Sequence, residues 1–228
     1  MALAVVRATG RRGTDMSVVQ PIKPKADELI QRFLEHCHRR NYPTKSTIIR
    51  QGDPSHDLLY IVKGSVTVLL EDEEGRELVL AYLNPGDFFG EIGLFNEHVN
   101  RSALVRAKSP CDIAQISYER LKAMTGVFPD LLFAISSQLA TRLRKMNRKI
   151  GDLAFMDVSG RVARSLLDLC KEPDAMTHPD GMQIRVTRQE LGRIVGCSRE
   201  MVGRVLKNLE EQHLISVSGK TIVVFGVR

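Results

Sequence analysis

The chain has 228 residues, of which 43% are hydrophobic and 26% are charged, and its net charge is +6. This length favours two domains, no apolar run is long enough to span a bilayer, and the positive charge suits a polyanionic partner. The four cysteines are far apart and form no C-x-x-C pair, so the sequence gives no support for a metal or iron–sulfur site and predicts reduced thiols.

The N-terminal part of the chain predicts a tail followed by a helix. Within residues 1–25, the apolar stretch at 1–6 is short, arginines follow it, and no cleavage-site pattern closes it. We therefore expect a flexible extension of a cytoplasmic protein. From Lys25 to His38, apolar residues recur at helical spacing and predict a helix. These residues are Leu29, Ile30, Phe33 and Leu34.

Between Ser46 and Ser117, short β-type segments alternate with turns that contain glycine. Many short strands without intervening helices predict a sandwich or a jelly-roll barrel. The domain that contains them is expected to span residues 26–127. The predicted strands are Ser46–Ile49, Leu58–Val62, Ser65–Leu70, Glu77–Tyr82, Ser102–Ala107 and Asp112–Ser117.

Two helices are predicted after the barrel, a short one at Tyr118–Thr125 and a long one that Pro129 opens and that runs to about Met156. Positions in alternating steps of four and three along the long helix are apolar with one exception. A repeat of about 3.5 residues favours a two-stranded coiled coil, hence a dimerisation helix over residues 128–156. The alternative is a helix packed on its own barrel. The seam positions are Leu132, Ser136, Leu139, Leu143, Met146, Ile150 and Leu153.

A second domain is predicted over residues 157–228. Asp157 is placed to cap a helix, and proline and glycine mark the following segment as an exposed loop. A short strand and a β-hairpin are predicted on either side of a further helical segment. The predicted elements are the helix Val158–Leu169, the loop Lys171–Gly181, the strand Gln183–Val186, and the hairpin strands Ile215–Val217 and Thr221–Val224.

The helical segment between these strands has the pattern of two helices joined by a tight turn. Thr187 and Glu190 fit a capping box, Gly196 permits a left-handed turn, and Ser198 can cap the second helix. In the second helix an apolar stripe faces inward and a charged side faces outward. The inward residues are Val202, Val205, Leu206 and Leu209, and the outward ones are Arg199, Glu200, Arg204 and Lys207.

The outward side chains suit the recognition of DNA. Arginines can bond guanine in the major groove, and an acid near the helix start can accept from cytosine. Between Arg185 and Lys207 there are six basic residues against two acids, an excess suited to phosphate contact. The alternative is a solvated amphipathic helix, and the caps, the glycine turn and the following hairpin together favour DNA binding.

A second dense motif lies in the predicted barrel, at Gly86–Phe95 and Arg101–Ala103. An arginine fork and a serine hydroxyl, Arg101 and Ser102, could hold a cyclic phosphate, and Glu91 could accept from a ribose hydroxyl. The glycines allow the backbone to approach a ligand. The alternative is a surface arginine whose partner is Glu91.

At these motifs the chain resembles the Crp/Fnr family of transcription regulators, from about His36 to Arg228. The resemblance implies an α+β fold: an N-terminal cyclic-nucleotide-binding jelly roll, a long dimerisation helix and a C-terminal winged helix-turn-helix. It also implies a cyclic AMP-dependent homodimer that binds palindromic promoter DNA, acts mainly as an activator and contacts RNA polymerase. The segments that carry it are His36–His38, Gly90–Phe95, Arg101–Ala103, Pro173–Gly181 and Ile194–Glu200.

The resemblance also implies roles for particular residues. The cyclic nucleotide would be bound by Gly90, Glu91, Ile92, Arg101 and Ser102. Bases would be read by Arg199, Glu200 and Arg204, and phosphates contacted by Ser159, Arg188, Gln189, Ser198, Lys207 and Lys220. Polymerase would be contacted by Thr177 and His178 and by a second patch of His38, Arg40 and Arg120.

The dimerisation helix departs from the family at the contact with adenine, where the family has a threonine and a serine and this chain has Met146 and Asn147. Methionine cannot donate a hydrogen bond, whereas asparagine both donates and accepts, so the base contact is expected to be altered. A regulator of the same family that responds to cyclic di-GMP, or to no ligand, is therefore an alternative.

Two other classes of protein are alternatives. The first is a cyclic-nucleotide-binding regulatory subunit or partner-binding module without DNA binding. The second, an enzyme, has little support, because the chain has neither a nucleophile elbow nor a phosphate-binding loop and its histidines lack metal-ligand spacing.

Overall fold

The computed structural model describes residues 26–96, 99–124, 126 and 129–227. The extension predicted at residues 1–25 lies outside the described residues. The predicted α+β architecture is confirmed: a β-rich N-terminal domain, a long helix, and a C-terminal domain with a helix-turn-helix. Within the described ranges, none of the helices combines the length and the apolar character that a membrane span requires.

The N-terminal domain consists of two antiparallel four-stranded sheets, with strand orders β1-β8-β3-β6 and β2-β7-β4-β5. Their inward faces are apolar, and Leu59, Ile61 and Ile113 are almost fully buried. The strands are β1 (His38–Tyr42), β2 (Thr47–Ile49), β3 (Asp57–Lys63), β4 (Val66–Glu71), β5 (Glu77–Leu83), β6 (Phe88–Phe89), β7 (Leu104–Ala107) and β8 (Cys111–Ser117).

The helices of this half of the chain cover the barrel. Helix α1 packs through Phe33 on an aromatic cluster, with ring centroids 5.5 Å from Phe88 and 6.1 Å from Tyr60. Such edge-on contacts add to the burial of apolar area. The helices are α1 (Ala26–Leu34), α2 (Ile92–Phe95), α3 (Tyr118–Met124) and α4 (Pro129–Phe155).

The helix predicted over Lys25–His38 is too long. Within the described residues it ends at Leu34, and His38 begins β1, which pairs with β8 in the register His38 to Gln115. The prediction is wrong at this end because the strand is mostly exposed and lacks the alternating apolar residues of a half-buried strand. Hydrogen bonds from the neighbouring strand decide its conformation.

Helix α4 has two apolar faces, and the predicted seam is divided between them. Leu131 and Ile135 are buried against the barrel, and Leu139 packs on the same cluster. By contrast, Leu143 and Ile150 are 62% and 58% exposed. The long helix is confirmed. Leu131 and Ile135 lie outside the predicted seam, and of the seam itself Leu139 packs on the barrel whereas Leu143, Ile150 and Leu153 are exposed. We call the exposed seam residues Leu143, Ile150 and Leu153, which lie on one side of the helix, the α4 stripe.

The C-terminal domain packs three helices against a four-stranded sheet of order β11-β12-β10-β9. Leu166, Leu191 and Val202 lie at the centre of its core. Asp157 caps the first helix, since its side chain accepts a hydrogen bond from Gly160 N at 2.8 Å. The elements are α5 (Val158–Leu169), β9 (Met176–His178), β10 (Gly181–Arg185), α6 (Arg188–Val195), α7 (Arg199–Glu211), β11 (Ile215–Ser218) and β12 (Thr221–Phe225).

The loop predicted over Lys171–Gly181 contains a strand, β9, that the sequence analysis missed. It pairs with β10 in the register Met182 to Thr177. The strand is only three residues long and largely exposed, so its sequence carries no buried pattern, and pairing with β10 alone makes it a strand.

Candidate ligand pocket and nucleic-acid interface

A cavity of about 570 Å³ opens where the barrel meets α4 and α5. One end lies against the segment between β6 and β7, and the other reaches into the cleft between the two domains. Six of the seven predicted ligand residues line it. They are Gly90, Glu91, Ile92, Arg101, Ser102 and Met146. Asn147, by contrast, is exposed and is not part of the lining.

The guanidinium of Arg101 is held in the cavity wall by neutral oxygens. It donates to Gly90 O at 3.0 Å, to Asp57 O at 2.9 Å and to the Tyr118 hydroxyl at 3.2 Å. Among the residues that the structure describes, no carboxylate lies within ion-pair distance of it. Its positive charge is therefore oriented by the protein but not neutralised by it, as an anion-binding group requires.

Gly90 has a backbone conformation that the site requires. Its φ is +75°, and a Cβ added there would lie 2.4 Å from Nη1 of Arg101. A side chain at this position would both be strained and displace the guanidinium. The glycine thus allows the arginine to approach the chain closely.

Glu91 is buried, with 7% of its surface exposed, and its partner is Arg142 on α4, at 3.2 Å. The alternative in which Arg101 pairs with Glu91 is therefore wrong. Arg142 also donates to Phe88 O. Sequence reasoning missed Arg142 because it lies in a run of five basic residues, in which one arginine that turns inward carries no local signal.

A second missed residue, Gln138, also ties α4 to the edge of the pocket. Its amide donates to Gly86 O at 2.8 Å and accepts from Phe88 N at 2.9 Å. These bonds and the Arg142 contacts fix α4 against the segment that carries Glu91. The pocket wall is thus assembled from two elements that are 50 residues apart in sequence.

The interdomain end of the cavity is strongly charged, and two of its arginines are paired with carboxylates. Arg148 lies 2.9 Å from Asp168, and Arg164 pairs with Asp152. Lys149 is half-buried, its ammonium donates to Val79 O, and burial lowers its pKa below the usual range for lysine. Arg101, which has no carboxylate partner among the described residues, lies at the barrel end.

Helices α6 and α7 begin as predicted, and α6 ends at the predicted glycine turn. Thr187 accepts from Glu190 N at 3.1 Å, Ser198 accepts from Met201 N at 3.2 Å, and Gly196 has φ +74°. Only the reciprocal half of the capping box is wrong. The carboxylate of Glu190 accepts from the hydroxyl of Tyr82, in the barrel, at 2.9 Å.

Helix α7 presents a polar, exposed surface outside the core. The predicted base-reading residues Arg199, Glu200 and Arg204 lie along one groove, with Arg188 and Lys207 beside them. The remaining residues predicted to contact phosphates, namely Ser159, Gln189, Ser198 and Lys220, are also exposed. The fold thus brings cations from the starts of α6 and α7 to one surface, the arrangement that a major-groove reader needs.

The residues predicted to contact polymerase lie in two places. Thr177 and His178 are on β9 of the C-terminal domain. His38 and Arg40 are exposed on β1, and Arg120 is exposed at the start of α3. Burial raises the pKa of the nearby Cys37 thiol to about 11, and the opposing charges of Arg120 and Arg39 reduce that rise.

The cysteines are free thiols, of which Cys111 and Cys170 are buried and Cys37 and Cys197 half-buried. Among the described residues, no group of three or more histidine, cysteine, aspartate or glutamate side chains could hold a metal ion.

Comparison with known proteins agrees with this architecture. A cyclic nucleotide-binding domain family matches residues 39–126, and a Crp-like helix-turn-helix domain family matches residues 160–225. These two domains define a DNA-binding transcription regulator that carries a cyclic nucleotide-binding domain.

Two of the similar proteins are cAMP-activated transcriptional regulators. The cAMP-activated global transcriptional regulator CRP of Salmonella typhimurium is 60% identical over 90% of this chain and 98% of its own length. The cAMP-activated regulator Vfr of Pseudomonas aeruginosa is 61% identical over 90% of this chain and 97% of its own. The chain belongs to the Crp/Fnr family, and the prediction of a regulator rather than an enzyme is confirmed.

A solved structure is also close. The c-di-GMP responsive global regulator CLP of Xanthomonas campestris superposes with a TM-score of 0.83 at 49% identity, covering 88% of this chain and 99% of that one. A CRP/FNR family regulator of Thermus thermophilus superposes with a TM-score of 0.72 at 26% identity, covering 82% of this chain and 93% of that one.

Proposed function

We propose that the chain is a cyclic AMP-dependent regulator of transcription that binds palindromic promoter sites as a homodimer in the cytoplasm, where promoter DNA lies. The observation that carries the ligand assignment is the guanidinium of Arg101, fixed in the cavity wall and unpaired by any described carboxylate. Arg101 and Ser102 bind the cyclic phosphate, and Gly90, Glu91 and Ile92 surround the ribose.

The test is a calorimetric titration of the purified protein with cyclic AMP, cyclic GMP and cyclic di-GMP. Cyclic AMP is expected to bind the wild type and Arg76→Leu, which removes an arginine that is 73% exposed on the β4–β5 hairpin. Arg101→Leu is expected to bind at least tenfold more weakly and to lose ligand-dependent DNA binding while remaining a dimer. Unchanged binding by Arg101→Leu contradicts the phosphate assignment.

A second ligand, cyclic di-GMP, is favoured by two observations. The CLP regulator, 49% identical to this chain, is c-di-GMP responsive, and Met146 lines the cavity where a hydrogen-bonding residue is expected. The same titration separates the two ligands. Tight binding of cyclic di-GMP alone means that Met146 and Asn147 have changed the signal.

DNA recognition is assigned to α7. Arg199, Glu200 and Arg204 read base edges, and Arg188 and Lys207 contact phosphates together with Ser159, Gln189, Ser198 and Lys220. Replacing Arg204 with alanine is expected to weaken binding to the selected site by about 1–3 kcal/mol and to relax the sequence preference at one position of each half-site. Binding-site selection followed by anisotropy measurements reports both effects. An unchanged preference contradicts the assignment.

The α4 stripe is the proposed dimer interface. Its side chains are strongly exposed in a single chain, and Leu143 is 62% exposed. A second copy related by a two-fold axis would bury the stripe against itself. Ile150→Asp is expected to give monomers in sedimentation experiments, whereas Arg144→Asp, at an exposed position outside the stripe, is expected to remain a dimer. A dimeric Ile150→Asp variant contradicts the interface.

Contact with RNA polymerase is proposed for Thr177 and His178, and for His38, Arg40 and Arg120 on the barrel. All five except His178 are strongly exposed. The double variant Thr177→Ala/His178→Ala is expected to bind promoter DNA normally but to lower activated transcription with purified polymerase. Equal transcription by variant and wild type contradicts this role.

The domain boundaries are proposed at residues 26–127, 128–156 and 157–228, with 1–25 as an extension. The Asp157 cap starts a new helix directly after α4 and supports the last boundary. Limited proteolysis is expected to remove residues 1–25 first. If the protease cleaves within α5 earlier than it removes residues 1–25, this division is contradicted.

A further inference from the structure

Strand β5 lines the cavity and also contacts the C-terminal domain. Its residues Val79 to Leu83 line the cavity that the proposed function assigns to the ligand. The same strand also contacts α6, the first helix of the helix-turn-helix. Strand β5 thus links the cavity to α6, whose Ile194 also lines the cavity.

Two polar contacts join β5 to α6. The carboxylate of Glu77, whose side chain is 11% exposed, accepts from Arg106 at 2.8 Å, and its other oxygen lies 3.1 Å from Nη1 of Arg193. The second distance lacks hydrogen-bond alignment, so ionic attraction holds that side. The hydroxyl of Tyr82 donates to Glu190 at 2.9 Å. Each contact has one partner in the barrel and one on α6.

Apolar packing accompanies these bonds. Ile194 of α6 is half-buried against a small cluster of Leu69, Val79 and Leu104 in the barrel. This cluster is separate from the cores of both domains. The side chains on α6 that touch the barrel, residues 190, 193 and 194, fall on one face of the helix. We call this surface the β5–α6 contact.

A displacement of α6 carries α7 with it. A Cβ added at Gly192 of α6 would lie 2.7 Å from Cys197 O in the turn. Because Gly192 has no side chain, the backbone of α6 lies directly against the turn that leads into α7. The shared core, with Leu191 and Val202 fully buried, leaves no room for the helices to slide independently. The position of the recognition helix therefore follows the position of α6.

We propose that the β5–α6 contact transmits occupancy of the cavity to the recognition helix, with Arg193 and Glu190 as its positioning residues. Bound nucleotide contacts β5, β5 sets the position of α6, and α6 sets the orientation of α7. The inference rests on the proposed function, because it requires both nucleotide and DNA binding. The docked contact leaves the polar side of α7 exposed, so it orients the DNA-reading surface rather than covering it.

The test measures coupling rather than affinity alone. The ratio of DNA dissociation constants without and with saturating cyclic AMP, or cyclic di-GMP if that is the ligand that binds, is compared between the wild type and Arg193→Glu/Glu190→Ala. Neither residue lines the cavity. The ratio is expected to fall at least fivefold in the variant. A direct contribution of either side chain to DNA affinity cancels in this ratio, and by linkage the DNA-induced gain in nucleotide affinity must fall by the same factor.

Two further variants control for structure. Arg76→Glu reverses a charge on the same hairpin whose partners are Asp72 and Glu74, and it is expected to keep the wild-type ratio. Arg193→Lys retains the attraction to Glu77, so its ratio of DNA dissociation constants is expected to stay close to that of the wild type. If the double variant unfolds, Glu190→Ala alone, which removes only the acceptor of Tyr82, is expected to lower the ratio at least twofold.

The possible failures are distinguishable. If neither nucleotide changes the DNA dissociation constant of the wild type, both the proposed function and this inference are overturned. A responsive wild type with an equally responsive Arg193→Glu/Glu190→Ala variant overturns this inference alone.

Discussion

Replacing Gly90 with alanine tests how the ligand pocket is built. The added Cβ would lie 2.4 Å from Nη1 of Arg101, 3.1 Å from Leu59 Cδ1 and 3.2 Å from Asp57 O. Since Cβ contacts under 3.0 Å essentially do not occur, the guanidinium must retreat from the backbone. In retreating it weakens its bonds to Gly90 O and Asp57 O.

The magnitude follows from two separate costs. A side chain at φ +75° costs about 1–2 kcal/mol in backbone strain, and weakened hydrogen bonds of a charged donor cost about 1–2 kcal/mol more. The free energy of unfolding is therefore expected to fall by about 2–4 kcal/mol. Loss of a charge-assisted bond to phosphate, about 1.5–3 kcal/mol, weakens nucleotide binding by about 10- to 150-fold.

Gly75→Ala is the matched control. Gly75 has φ +74°, nearly the same as Gly90, but the nearest atom to an added Cβ is Glu71 Oε1 at 4.0 Å. It should show the strain of about 1–2 kcal/mol in urea unfolding and no change in calorimetric nucleotide affinity. If Gly90→Ala loses no more stability than Gly75→Ala and binds nucleotide normally, the proposed dependence of Arg101 on a bare backbone is refuted.

Three further predictions concern a helix cap, an ion pair and the DNA surface. Asp157→Ala should lower the free energy of unfolding by about 1 kcal/mol, because Gly160 N loses its acceptor, while Asp157→Asn should stay near wild type in urea titrations. The bond from Arg39 lowers the pKa of Asp112, so its stabilisation is present above about pH 3.9 and lost as the pH falls through the lowered pKa. Asp112→Asn should therefore flatten the decline in stability between about pH 5 and pH 2, and an unchanged slope argues against the pair. Lys207→Ala should reduce the salt slope of DNA binding by about 1, measured by anisotropy, with Lys207→Arg keeping the wild-type slope; equal slopes for all three proteins would remove Lys207 from the phosphate contacts.

Local signals were sufficient for much of the C-terminal domain. Thr187, Gly196 and Ser198 act within a few residues of their own positions, so cap and turn chemistry predict both helices and the tight turn between them. The inward stripe of α7 follows from helical periodicity for the same reason, and Val202, Val205 and Leu206 are buried.

Short exposed strands escaped prediction because their cause is not local. The residues of β1 and β9 are mostly exposed, so neither strand shows the alternation of a half-buried strand. Their backbone groups are satisfied by β8 and β10, and only the assembled sheets supply those partners.

The pocket divides in the same way. The sequence indicated Gly90, Glu91, Arg101 and Ser102, two pairs of adjacent residues in neighbouring segments, and the structure places all four in one cavity wall. It did not indicate Arg142, whose contact with Glu91 crosses 51 residues.

The sequence by itself determined the helices with clear periodicity, most strands of the barrel, and the caps and turn of the DNA-reading segment, because spacing and cap chemistry act over a few residues. Tertiary structure alone decided which partner each long polar side chain takes. Glu190 bonds to Tyr82 rather than to its own helix, and barrel packing buries one face of α4 and leaves its stripe exposed. These contacts depend on which surfaces meet after folding, and they cannot be predicted from the local sequence around each residue.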